Sequence, residues 1–221
     1  MAKKVLTHTF TEPLCGASTM EVTIDPGDGN LIIDSLAGSE TALASGTLEY
    51  LENKGLPTRS VDTSKSQATL SLKASGGQPW LRLPWSACNG ATEWHIHLNP
   101  SVTYDLKAHS DGGNIQLDLD EMTLSHVAAE TGGGNIDLAL PGKARTLDVT
   151  AKSGAGNVSV HLPGDVAARI RATTGLGKVI VDARFAKTGK DTFQSPDYDQ
   201  AAKKVEITIS SGAGNVSVSA K

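Results

Sequence analysis

The sequence predicts an all-β protein, a single-domain β-solenoid with coils of about 21 residues and Gly-rich turns, and three observations carry that prediction. A short phrase returns five times: Asp-Gly-Gly-Asn ending at Asn114, Gly-Gly-Gly-Asn at Asn135, Gly-Ala-Gly-Asn at Asn157, Gly-Leu-Gly-Lys at Lys178 and Gly-Ala-Gly-Asn at Asn215. The spacings are 21, 22, 21 and 37 residues, one period with one insertion. Aliphatic residues alternate on both sides of each turn, and sustained helical spacing between caps is missing from the whole sequence. Units that cannot bury a face alone, repeated at fixed length, stack into a continuous core.

After each turn the residues one, three and five positions on are apolar in nearly every copy, as in Ile115, Leu117 and Leu119 or Val158, Val160 and Leu162. Before it, the positions six and eight residues back are apolar too, as in Ala129 and Val127. Period-two alternation on both sides of a tight turn means two strands that share one inner face. Four residues before each closing Asn or Lys stands a small hydroxyl, Ser110, Thr131, Ser153, Thr174 or Ser211. Such a file suits corner side chains that hydrogen-bond the turn backbone. The glycines answer a need for positive φ or for close backbone approach.

The organisation expected is one domain over 1–221, with irregular N-terminal coils over 1–93 and regular repeats over 94–221. An earlier copy runs from Met20 through Asn30 to Ile33, and further strands are expected near Thr47–Leu51, Ala68–Leu72 and Glu93–Leu98, with a Gly/Pro-rich bend from Gly76 to Pro84. An insertion over 184–200 breaks the repeat and holds two of the three Phe and one of the three Tyr. Its Asp197, Tyr198 and Asp199 place an aromatic ring between two carboxylates, a composition favoured at recognition surfaces, and are the candidate contact for a partner or ligand. The competing reading has Tyr198 packing on its own solenoid as a cap.

A net charge of −4 without a Lys/Arg-rich run argues against nucleic acid as a partner. No apolar run is long enough to span a membrane, and the first residues lack a signal-peptide core, so a cytoplasmic location is expected. Cys15 and Cys88 are too few for a disulfide framework and are read as two reduced thiols, with a single bridge between them left open.

Candidate chemistry is sparse. His95 and His97 share one strand face and could chelate a metal, but no third ligand lies nearby in sequence, so they are read as a solvated face. Gly132 to Asp137 lacks the nine-residue period of a calcium-binding β-roll, and Gly175 to Lys178 leads into a strand where a phosphate loop needs a helix. No metal and no cofactor are expected. Nine residues before each turn end stand Asp105, His126, Asp148, Arg169 and Glu206, so coils stacked in sequence order would alternate acid and base across the ladder. A glycosidase-like pair of carboxylates cannot be picked out, and the expectation is a protein that is not an enzyme.

The run from Trp94 to Pro100, the turn phrases with their following strands and the closing Gly-Ala-Gly-Asn-Val-Ser-Val218 resemble the C-terminal domain of LiaF-like cell-envelope stress proteins. That domain belongs with the toastrack, or adhesin-like, group. The resemblance covers Trp94 to Lys221 well and the first ninety residues loosely. It implies a non-enzymatic scaffold with a protein partner, such as a membrane-associated regulator, in envelope stress signalling. The alternative is a module that binds a carbohydrate or envelope ligand. LiaF-like proteins carry N-terminal membrane helices, which this sequence does not show.

Overall fold

The computed structural model describes residues 4–37, 41–64, 66–76, 92–142 and 146–221. Along the chain run β1 (Val5–Pro13), β2 (Thr19–Asp25), β3 (Asn30–Ser35) and β4 (Ala42–Leu51), then a 3₁₀ turn at Glu52–Lys54. β5 (Thr58–Ser64), β6 (Gln67–Lys73) and β7 (Glu93–Leu98) follow. The regular part consists of β8 (Thr103–Ser110), β9 (Ile115–Asp118), β10 (Thr123–Thr131), β11 (Ile136–Ala139), β12 (Thr146–Ser153), β13 (Val158–Leu162), β14 (Ala167–Thr174) and β15 (Val179–Val181). The insertion forms β16 (Ala186–Lys187) and β17 (Thr192–Gln194), and β18 (Lys204–Ser211) and β19 (Val216–Ala220) close the fold. Most of the expected Gly76–Pro84 bend, and Cys88, lie outside the described residues; Cys15 is exposed.

Two large sheets, mostly parallel, face each other across one apolar cluster that runs from Phe10 to Val218. Sheet A has the order β1-β4-β7-β3-β9-β11-β13-β19-β15, and sheet B the order β16-β17-β14-β18-β12-β10-β8-β2-β6-β5. Each coil takes one strand from sheet B and, after the Gly-rich turn, one from sheet A. The alternating aliphatic files supply the core: Leu138, Val160 and Val218 stand in register on neighbouring strands and are buried.

The hydroxyl file is a hydrogen-bonded ladder. Thr131 Oγ1 donates to the Gly113 carbonyl of the neighbouring coil (2.8 Å) and accepts from the Gly134 N–H of its own turn (3.2 Å). Ser153 repeats this with Gly134 and Gly156, and Ser211 with Gly156 and Gly214. A second ladder uses the closing asparagines: each Oδ1 accepts the N–H of the next closing residue, in the order Asn30, Asn114, Asn135, Asn157, Asn215 and Lys178, at 2.8–2.9 Å.

That order is not the order of the chain. The coil of β18 and β19 sits between those of β12/β13 and β14/β15, and the coil of β2/β3 sits between those of β6/β7 and β8/β9. The insertion thereby acquires a topological use. To pass from β15 at the end of the stack to β18 one place inward, the chain must cross β14: the β16–β17 hairpin first extends sheet B outward, with β17 antiparallel on β14, and the segment from Ser195 to β18 then crosses β14.

The threading corrects the expected alternation of charge. His126 does lie between Asp105 and Asp148. Beyond them Asp148 meets Glu206, not Arg169, and Glu21 meets Asp105. Like charges in register repel, and cations offset each pair. Lys107 binds Glu21 at 2.6 Å, which together with nearby Asp105 holds its ammonium pKa above the ordinary range, while Arg169 reaches Glu206 at 3.3 Å.

At Gly113, Gly134, Gly156 and Gly214 close approach, not positive φ, makes a glycine necessary. A Cβ at Gly134 would be driven into the Gly113 carbonyl, whereas one at the adjacent Gly133 would meet nothing within 4 Å. Gly134→Ala is therefore expected to cost about 1–3 kcal/mol. Gly133→Ala should be neutral or stabilising by less than about 1 kcal/mol. Denaturant unfolding of the two variants checks this; equal effects would mean that the turns do not stack as described. By the same method Val160→Asp, which buries an unpaired carboxylate, should lose about 3 kcal/mol or more, and the outward Ser159→Lys less than about 0.5 kcal/mol.

Candidate functional site

Among the described residues, three surface features combine polar side chains or exposed apolar area in one place. The first is the end of the stack built by β14 to β17. Phe185 is buried in the core and Phe193 packs against it, so the insertion is fixed at two points. The chain then turns at Ser195, whose hydroxyl accepts from the Ala168 N–H (3.0 Å) while its own N–H donates to the Ala168 carbonyl (2.9 Å).

This turn lays the Tyr198 ring, 5 % exposed, under the Arg169 guanidinium, 4.3 Å from the ring centroid, with Lys204 at 5.2 Å. The Tyr198 hydroxyl donates to Glu206. Burial first, and then the bond to Glu206 and its charge, push the phenol pKa up to about 12, against the opposing pull of Arg169. Asp197 and Asp199 remain exposed, with Asp199 3.5 Å from Arg169. Of the three residues singled out in the sequence, two carboxylates therefore face solvent and the ring packs on its own coil.

In the same terminal coil as β14, the last strand of sheet A is uncovered. β1, β5 and β16, which form the other three sheet edges, each pair antiparallel with their neighbours, whereas β15 ends its sheet as a three-residue parallel strand. Leu176 is 74 % exposed and Ile180 57 %, and Val179, which would face the core in an inner coil, is also exposed.

The second feature lies on the outer face of sheet A. Strand pairing brings Asp34 of β3 beside His97 of β7. Its carboxylate contacts both imidazoles, His95 Nε2 at 2.8 Å and His97 Nδ1 more closely. Asp34 is the partner that sequence spacing could not supply; the signal was its place four residues after Asn30, equivalent to that of His97 after Glu93 once β3 and β7 are paired.

The third feature is an Asp137, His161 and Ser219 relay, which sequence reading missed because its members come from three coils. His161 Nε2 lies 3.1 Å from Asp137 Oδ1, and its Nδ1 lies 2.8 Å from Ser219 Oγ. The relay borders a cleft of about 280 Å³ lined by Asp120, Leu140, Pro163 and Lys221 among others. Acyl transfer would also need a pair of N–H donors aimed at an oxyanion. The flanking amides are already engaged in the sheet, Leu140 N–H with the His161 carbonyl (2.9 Å) and Lys221 N–H with the Leu162 carbonyl (2.8 Å).

The family model for the N-terminal domain of toast_rack, DUF2154, matches residues 2–182. Among solved structures, a candidate cell adhesion protein from Clostridium sporogenes superposes with a TM-score of 0.88 at 23% identity, covering 99% of this chain and 100% of that one. A candidate adhesin from Bacteroides fragilis reaches a TM-score of 0.37 at 9% identity, with 99% and 98% of the two chains covered. One from Parabacteroides distasonis reaches 0.34 at 9%, with 97% of each covered. No curated protein matches the sequence. Among the described residues no helix is long and apolar enough to cross a membrane.

The packing of Tyr198 has a pH signature. A folded-state pKa of about 12, above the ordinary value of 10.0, favours the neutral phenol, so its stabilisation is complete below pH 10 and is lost as the pH rises through about 12. Tyr198→Phe should cost about 1 kcal/mol at neutral pH and lessen the stability lost across that window. Tyr198→Ala should cost about 3 kcal/mol. Unfolding followed at neutral pH and from pH 9 to 12 provides the comparison; an unchanged alkaline limb in the Phe variant would detach the effect from this residue.

Proposed function

The chain belongs to the family of N-terminal toast-rack domains, and from that premise we propose that it is a non-enzymatic interaction module that binds a protein partner in cell-envelope stress response or signalling. The uncovered β15 edge carries this reading. Proteins normally shield such edges with charges or covering strands, and here Leu176, Val179 and Ile180 leave apolar surface open instead. Asp197 and Asp199 are exposed on the turn after β17 and would add charge that acts mainly on association rate and partner choice. Tyr198 holds the turn that presents them. A membrane-associated regulator is the partner class that the envelope reading implies. The continuous apolar cluster from Phe10 to Val218 supports one functional unit over 1–221.

A second reading, a module for a carbohydrate or other envelope ligand, draws on the cleft beside His161 and on the adhesion role suggested for the Clostridium sporogenes protein. Its polar lining of Asp120, His161 and Lys221 suits hydroxyl-rich ligands.

Affinity capture from extracts of the source cells, with the wild type and variants compared, tests both. Leu176→Lys with Ile180→Lys alters only exposed side chains and should leave stability within about 0.5 kcal/mol. It is expected to abolish capture of a partner, and Asp197→Asn with Asp199→Asn to weaken it in a salt-dependent way. A partner retained equally by all variants overturns the assignment to this edge. Saccharide binding lost in His161→Ala but kept in the edge variants would favour the second reading.

A further inference from the structure

We propose that Asp34, His95 and His97 form a binding site for a divalent first-row transition-metal ion, zinc being the cation they suit best. The three side chains come from two adjacent strands, with His95 and His97 two residues apart on one face of β7 and Asp34 in register with His97 on β3. One ligand atom from each lies within 4.8 Å of the other two. In tetrahedral zinc sites, bonds of about 2.0–2.1 Å to nitrogen place ligand atoms about 3.3 Å apart. Side-chain rotations that shift ligand atoms by up to about 1.5 Å would close the set with the sheet left in place. The backbone is fixed by β3 and β7 on both sides, since β4 pairs with β7 and β9 with β3.

Two imidazoles and one carboxylate select the class of ion. Nitrogen donors favour zinc, copper or nickel over calcium and magnesium, which prefer all-oxygen shells. The imidazole nitrogens that now face Asp34 would turn lone pairs to the ion, each ring proton moving to the other nitrogen, while Asp34 supplies one negative charge. The side chains are 38 %, 36 % and 31 % exposed for His95, His97 and Asp34, enough for a hydrated ion to enter and for a fourth position to stay open to water. Three protein ligands with one open position distinguish such a site from a closed structural zinc centre.

Calorimetric titration with zinc alone tests the site. One equivalent should bind the wild type, and Asp34→Asn, His95→Gln and His97→Gln should each weaken binding by at least about tenfold. His161→Gln, at a separate histidine–carboxylate contact, should leave it unchanged. Cobalt added to the wild type gives a readout that does not depend on any variant folding: the intense visible bands of a four-coordinate ion are expected. A flat zinc titration, an isotherm unaltered by the three substitutions, or only the pale spectrum of hexaaqua cobalt would each overturn the proposal.

Discussion

Everything regular in this fold depends on one contact, the stacking of a Gly-rich turn on the turn beside it. A solenoid strand that slips by one residue exposes its apolar face, but a slip by two keeps every inner residue inside, so hydrophobic alternation alone does not fix register. The turns do. Gly134 lies so close to the Gly113 carbonyl that a side chain has no room, while Thr131 spans the two turns with one hydroxyl. The asparagine ladder adds a second fixed bond per coil. With the turns locked, strands lie at the usual spacing of about 4.8 Å and the aliphatic files come into register.

The same contact explains which copy is atypical. Each closing Asn uses its Oδ1 to receive the next coil, and Lys178 closes the coil beyond which none is stacked. A lysine has no acceptor to offer and none is needed there. The uncovered Val179, Leu176 and Ile180 belong to that same terminal coil, so the departure in the turn and the exposed apolar edge mark one physical place, the end of the ladder.

Threading makes the stack less modular than its repeats suggest. In a simple solenoid each repeat rests on the ones before and after it in sequence. Here β14 and β15 rest on β18 and β19, which come later in the chain, and β8 rests on β2 across the whole excursion from β3 to β7. Such non-local pairing slows folding, because long loops must close before contacts reward them. It also sets the surface electrostatics: Glu206 between Asp148 and Arg169 needs the nearby guanidinium, and Tyr198, stacked on Arg169 and bonded to Glu206, fixes that guanidinium in place.

By itself the sequence determined the strands on each side of the repeated turns, the inner aliphatic files and the corner hydroxyls, because these follow from local period and from residue types with few alternative uses. It also located the insertion and the histidine pair. Tertiary structure alone decided the order of the coils, because the spacing of 21 residues from Asn157 to Lys178 is the one direct stacking would give, and no local signal says that a later coil lies between them. From that order follow the neighbours of Glu206, the crossing role of 184–200, the burial of Tyr198, the meeting of Asp137, His161 and Ser219, and the uncovered edge at β15. Asp34 joins His95 and His97 for the same reason: contacts between coils are set by stacking, and stacking is a property of the assembled sheets that a linear period does not contain.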